Sequence, residues 1–102
     1  MSSHLASITS GMPKFVRIIE VGPRDGLQNE DTVLTSAQKL EFIRLLAQSG
    51  LEEIEVASFV NPNRVPQMAD AEDVVLGLRN FPDSARFTAL VPNEHGMERA
   101  VA

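Results

Sequence analysis

Three observations predict an α/β fold assembled from consecutive β/α units. From Phe15 onward, short apolar runs rich in β-branched residues alternate with longer stretches of helical spacing. The alternation recurs with a period of roughly 35 residues, about what one strand, one helix and their connections require. Gly, Pro and Asn punctuate the boundaries between the two kinds of segment. Each helical crossover returns the chain to the same edge of the sheet, so the strands are expected to be parallel.

The elements follow in order. Residues 1–13, rich in Ser and Thr, are read as a flexible tail ahead of one folded region spanning 14–102. The first strand is expected over Phe15–Val21 and is stopped by Gly22-Pro23. Thr35 then begins a helix as N-cap, with Gln38 at the capping-box position, and Leu40, Ile43, Leu46 and Ala47 recur along one face until Gly50 ends it. The second strand is expected over Glu53–Val60, followed by an extended loop over Asn61–Gln67 that contains two prolines.

Asp70 is the expected cap of a second helix carrying Val74, Val75 and Leu78 as its apolar stripe and ending near Asn80, ahead of Pro82. The third strand covers Arg86–Val91. Asn93 caps a third helix that begins at Glu94 and is expected to be cut short at Ala102. Three strands and two and a half helices cover only one face of a parallel sheet, so a large apolar surface should remain open on the other.

Composition narrows the function classes. Nine Lys and Arg against fourteen Asp and Glu give a net charge of -5. With no basic cluster, nucleic acid and anionic membranes are not expected partners. Cysteine is absent, which rules out a disulfide framework or cysteine-rich zinc site in this segment. No apolar run approaches the roughly 20 residues of a membrane span. The first twelve residues hold no Arg or Lys, unlike a secretory or transit leader, so a cytoplasmic location is expected.

In parallel β/α folds, chemistry gathers where strands end and loops converge. Just past the first strand, Arg24 and Asp25 set a cation beside a carboxylate. Asp25 is the best metal-ligand candidate, because hard divalent cations such as Mg²⁺ or Mn²⁺ prefer carboxylate oxygen. Arg24 would face negative charge developing on an oxyanion or enolate. The plainer alternative is a surface pair in a turn, for which Gly-Pro-x-Asp-Gly is also suited. Glu55 and Ser58 stand at the end of the second strand, where Glu55 is either catalytic or a structural partner of Arg24. Gln28 and Ser58 are candidates for hydrogen bonds to a substrate carboxylate or to groups behind it, and equally for structural ones. Asn93 is better explained as a helix cap, and His4 and His95 as ordinary surface histidines.

Three strings carry a resemblance: Val21-Gly22-Pro23-Arg24-Asp25-Gly26-Leu27-Gln28-Asn29-Glu30, Ile54-Glu55-Val56-Ala57-Ser58-Phe59-Val60 and Val65-Pro66-Gln67-Met68-Ala69-Asp70. In this order they resemble hydroxymethylglutaryl-CoA lyases, of the metal-dependent lyase and synthase superfamily, over about Val16 to Val101. The resemblance implies the first three β/α units of a (β/α)₈ TIM barrel, truncated within the third helix. It implies a metal-assisted retro-Claisen cleavage of 3-hydroxy-3-methylglutaryl-CoA to acetyl-CoA and acetoacetate, a step in leucine degradation. By the same resemblance Asp25 matches the ligand of an Mg²⁺ or Mn²⁺ ion, Arg24 the group that stabilises the acetyl-CoA enolate, and Glu55 a group that helps set proton transfer. The partners implied are a small-molecule acyl-CoA and, for the full-length enzyme, further copies of itself in a homo-oligomer.

Departures from the pattern matter equally. The lyases complete the metal site with a His-x-His pair and an Asn on later strands, and carry a reactive Cys in a late glycine-rich loop; none of these occurs in the 102 residues. The remaining ligands therefore lie outside this segment, which alone is expected to be inactive. Synthases or aldolases of the same superfamily are the related alternative, but Pro23 before Arg24 and Leu27-Gln28 after Gly26 favour the lyase wording. A non-catalytic fragment that assembles through its strand edges and apolar face is the alternative from another class.

Overall fold

The computed structural model describes residues 11–82 and 85–102. The first ten residues of the expected tail, His4 among them, lie outside the described residues. Three strands, β1 (Ile19–Glu20), β2 (Glu53–Ser58) and β3 (Arg86–Leu90), form one sheet in the order β1-β2-β3, parallel throughout as expected. Helices α1 (Ser36–Gln48), α2 (Ala71–Gly77) and α3 (Glu94–Val101) follow the three strands in turn.

Helix α1 begins as its sequence predicts. The Thr35 side chain accepts from the Gln38 N–H, and the Gln38 side chain accepts from the Thr35 N–H, so two otherwise orphaned donors are satisfied. Gly50 follows the helix at φ +96°, a left-handed conformation that costs a residue with a side chain but not glycine. Ile43 and Ala47 of α1 and Ala71 and Val74 of α2 pack against Ile54, Val56, Ala57 and Phe59 to make the core. Burial of these side chains removes apolar surface from water on one side of the sheet, the main stabilising term for such a layer.

Three sequence expectations are corrected. The first strand pairs only at Ile19 and Glu20, against Glu53 and Ile54, rather than over Phe15–Val21. Extending that register backward would place residues 16 to 18 opposite Gly50, Leu51 and Glu52, which form the turn out of α1 and offer no extended partner. Second, α2 buries Ala71 and Val74, with Leu78 partly buried in the 3₁₀ turn Leu78–Asn80 beyond it, while Val75 stays 37% exposed. A stripe at 71, 74 and 78 leaves residue 75 at its margin. Third, the Asp70 side chain does not cap α2, for a reason given below.

Helix α3 meets its expectation. Asn93 caps it by accepting from the Gly96 N–H at 2.8 Å. Gly96 is also needed for closeness: a Cβ there would lie 2.4 Å from the Phe59 carbonyl oxygen. The segment leading into β1 carries exposed apolar side chains, Phe15, Val16 and Ile18, and Ile19 of β1 is exposed as well.

Candidate active site at the strand ends

Past β1 the chain forms one wide π-type turn, Gly22–Gly26, instead of a simple loop. The Val21 carbonyl accepts from the N–H groups of Arg24, Asp25 and Gly26, at 3.2, 2.7 and 3.3 Å. Pro23 is fully buried at the start of this turn, where a missing N–H costs nothing. The Gly22 N–H donates to Glu20 Oε1 at 3.0 Å. These contacts fix the backbone from which Arg24 and Asp25 project, and wide turns of this sort recur at functional sites.

Strand β2 delivers its polar groups through an irregularity. Glu55 stands opposite Thr88, but the next partners are Ala57 and Ala89, so β2 takes two steps where β3 takes one. Val56 is the extra residue of a β-bulge. Thr88 and Leu90 lie two apart on β3 and share a face, so their partners Glu55 and Ser58 also share one. In a regular strand, residues three apart would point to opposite faces. The bulge thus brings both candidate groups to the side of the sheet that α1 and α2 do not cover.

There Arg24 and Glu55 meet. Arg24 Nε donates to Glu55 Oε1, and the two side chains are 18% and 20% exposed. Arg24 Nη1 lies 3.4 Å from Asp25 Oδ1, a weaker contact to a carboxylate whose side chain is 54% exposed. Two further polar atoms, Gln28 Oε1 and Ser58 Oγ, are buried without a hydrogen-bond partner. Buried polar atoms are nearly always satisfied, so these two, four residues after Arg24 and three after Glu55 in the chain, are candidates for hydrogen bonds to a ligand. Arg24, Asp25 and Glu55 are therefore brought together. Gln28 and Ser58 are placed with acceptors unmet.

Beyond β2, Arg99 joins α3 to α2 and to the chain leaving the strand. Arg99 of α3 donates to the Val60 carbonyl at 2.7 Å, forks onto both carboxylate oxygens of Glu72 at 2.9 and 2.6 Å, and lies 5.5 Å from the Phe59 ring centre. Arg99 holds the Glu72 carboxyl below its usual range, and Glu72 in turn raises the Arg99 guanidinium. His95 is solvent-exposed, with Glu98 4.0 Å away, in keeping with a surface histidine. Among the described residues no group of three or more His, Asp or Glu side chains converges.

A family model described as HMGL-like matches residues 15–102. The chain belongs to the HMGL-like family. It is 52% identical over 97 residues to the cytoplasmic 3-hydroxy-3-methylglutaryl-CoA lyase of Rattus norvegicus, an alignment covering 95% of this chain and 28% of that protein. It is 49% identical over 102 residues to the mitochondrial hydroxymethylglutaryl-CoA lyase of Arabidopsis thaliana, covering 99% of this chain and 22% of the relative. The crystal structure of the hydroxymethylglutaryl-CoA lyase from Pseudomonas aeruginosa superposes with a TM-score of 0.78 at 48% identity, over 87% of this chain and 29% of that one. An HMG-CoA lyase from Acinetobacter baumannii in complex with coenzyme A and 3-methylmalate gives a TM-score of 0.77 at 38% identity, over 83% of this chain and 28% of that one. The chain thus spans less than a third of each of these relatives, and its three parallel β/α units are those of an HMGL-like TIM barrel.

Sequence reasoning missed one group of residues in this family member. Lys39 is buried in α1, and its Nζ donates to the Gln67 carbonyl and to Asp70 Oδ1. Asp70 Oδ2 also accepts from Ser36 Oγ at 2.6 Å. A buried ammonium demands a carboxylate more strongly than a helix terminus does, which is why Asp70 abandons the capping role expected of it. The signal was available: Lys39 lies four and eight residues before Ile43 and Ala47, on the apolar face of α1, where an unpaired charge is not tolerated.

Proposed function

We propose that this chain is the part of a carbon-carbon lyase that supplies Arg24, Asp25 and Glu55 to the cleavage of 3-hydroxy-3-methylglutaryl-CoA into acetyl-CoA and acetoacetate. The observation that carries this reading is the Arg24–Glu55 pair, which joins the turn after β1 to the middle of β2 and has the exposed Asp25 carboxylate beside it. The names of the relatives and the coenzyme A complex of one of them support the substrate class.

The residues fit one side of a divalent metal site. Asp25 keeps its lone pairs largely free, since its one polar side-chain contact among the described residues is the long one to Arg24. Asp25 would hold Mg²⁺ or Mn²⁺ together with ligands from the rest of the barrel, because a single carboxylate does not retain such an ion in water. When bound, the ion supplies Lewis-acid polarisation of the substrate's oxygen atoms.

The chain's own residues then divide the remaining work. Glu55 engages Arg24 through Nε, which fixes the guanidinium plane and leaves Nη2 without a partner among the described residues. That free edge can donate to the thioester oxygen as the carbon-carbon bond breaks and the acetyl-CoA enolate gathers charge. Donors held in place beforehand act on the transition state more than on the ground state, so they raise turnover. The Ser58 hydroxyl and the Gln28 side-chain N–H can donate to the carboxylate end of the substrate, while Gln28 Oε1 can accept only from donors behind it.

The test is cleavage by a polypeptide that carries this chain within a complete (β/α)₈ barrel. With Mg²⁺ it should release acetyl-CoA and acetoacetate from the thioester, and Arg24→Gln should abolish most of the turnover. A complete barrel that binds the thioester without cleaving it would overturn the reading. A cytoplasmic location is part of this proposal and is supported by the relatives named as cytoplasmic, although others are named as mitochondrial; diffuse rather than organellar staining of the tagged complete protein is the expected outcome.

A further inference from the structure

We infer that Gln67, seated by the buried Lys39–Asp70 pair, is a positioning residue for the loop that carries Arg24 and Asp25. The inference rests on the reading of Asp25 as a metal ligand. Its structural basis is a continuous set of hydrogen bonds between elements far apart in sequence. The Gln67 side chain donates from Nε2 to the Glu30 carbonyl at 2.7 Å, across 37 residues. The Glu30 N–H donates to the Leu27 carbonyl at 3.2 Å, and Asn29 Nδ2 donates to the Asp25 carbonyl at 2.8 Å.

The loop from Gly22 to Glu30 is therefore held at both ends. Its front hangs on the Val21 carbonyl, and its back hangs on Gln67. Gln67 itself sits in the 3₁₀ turn Pro66–Met68 beyond β2, closed by the Met68 N–H on the Val65 carbonyl at 3.0 Å, and the Lys39 ammonium on the Gln67 carbonyl oxygen ties that turn to α1. Lys39 is in turn neutralised by Asp70, which Ser36 also engages. An apolar residue at position 39 would fill the core at no charge-burial cost, and such replacements are often neutral or stabilising. A buried ammonium does what an apolar side chain cannot: it grips a specific carbonyl and so transmits the placement of α1 to the strand-end loops.

Groups behind a metal ligand orient it, and their loss commonly reduces metal affinity by about 10- to 100-fold. The test uses the complete barrel and three variants. Gln67→Glu keeps the shape but removes the donor to Glu30; Gln67→Lys restores a donor. The pair Lys39→Met with Asp70→Leu removes both buried charges together. In metal-free protein, amide hydrogen exchange over residues 22–30 should accelerate about 10-fold in Gln67→Glu and in the double variant, with β2 and β3 unchanged. Titration with Mn²⁺ alone should give a dissociation constant raised about 10-fold or more in both, and Gln67→Lys should recover the wild-type behaviour.

Unchanged loop exchange, unchanged Mn²⁺ affinity, or a loss of protection spread evenly over the barrel would each overturn the inference. Asp25→Asn separates it from the reading beneath it. If that variant binds Mn²⁺ as wild type does, the ligand assignment fails, while loop exchange in Gln67→Glu still decides whether the strut exists.

Discussion

If Arg24 and Glu55 act as one unit, their removal must be strongly non-additive, and a double-mutant cycle on turnover measures this. The perturbations are Arg24→Gln, Glu55→Gln and the two together, in the complete barrel with saturating Mg²⁺. Both side chains are about four-fifths buried and joined through Arg24 Nε. Removing one pre-placed donor to a developing oxyanion costs about 10² to 10³ in kcat, or roughly 3 to 4 kcal/mol. Glu55→Gln removes the charge that orients the guanidinium and should lose about 10² by misplacing it. Independent losses would multiply to about 10⁴ to 10⁵ in the double variant. The pair in this structure predicts instead a double variant within about 10-fold of Arg24→Gln alone, because an Arg that is gone cannot be misplaced. Initial rates of acetoacetate release supply the four numbers. A fully multiplicative loss would refute the argument and leave Glu55 with a separate role.

Other outcomes follow from the packing and the charges. Gly96→Ala would place a Cβ 2.4 Å from the backbone oxygen of Phe59, which has no flexible end to yield, so a loss of about 1 to 3 kcal/mol is expected in the urea midpoint. Lys39→Ala leaves the Asp70 carboxylate and the Gln67 carbonyl without their shared donor, and should cost about 3 to 5 kcal/mol by the same measurement. The Glu72 carboxyl is lowered from its ordinary value of 4.5, chiefly by the hydrogen bonds from Arg99. Its contribution is therefore complete above that value and lost as the pH falls below it. With the Glu72 side chain 45% exposed, that contribution stays within about 1 kcal/mol, and the gap between wild type and Glu72→Gln should close as the pH is taken from about 6 to about 3.

The fold was legible wherever local chemistry decided it. The Thr35–Gln38 capping box, the Asn93 cap and Gly50 behave as their residue types require, because each concerns donors and dihedrals within a few residues. The parallel order of the three strands follows from the alternation of elements alone. What the sequence hid was non-local. The first strand is short because of its register against the turn after α1, and Asp70 serves a lysine 31 residues away rather than the helix it precedes.

The site was legible in part. Arg24, Asp25 and Glu55 could be named from the motif strings, and the structure brings them together. Pattern reasoning did not anticipate how Glu55 and Ser58 come to share a face, since strict alternation along a strand forbids it and only the bulge at Val56 allows it. A lysine on the apolar face of a helix was the one signal that could have exposed the Lys39–Asp70–Gln67 network in advance.

Anomalous diffraction from manganese in crystals of the complete barrel tests the centre of this account most directly. The account predicts an ion about 2.1 Å from a carboxylate oxygen of Asp25, with the free edge of the Arg24 guanidinium turned toward the same cavity. An ion bound elsewhere, with the Asp25 carboxylate left facing bulk water, would contradict it.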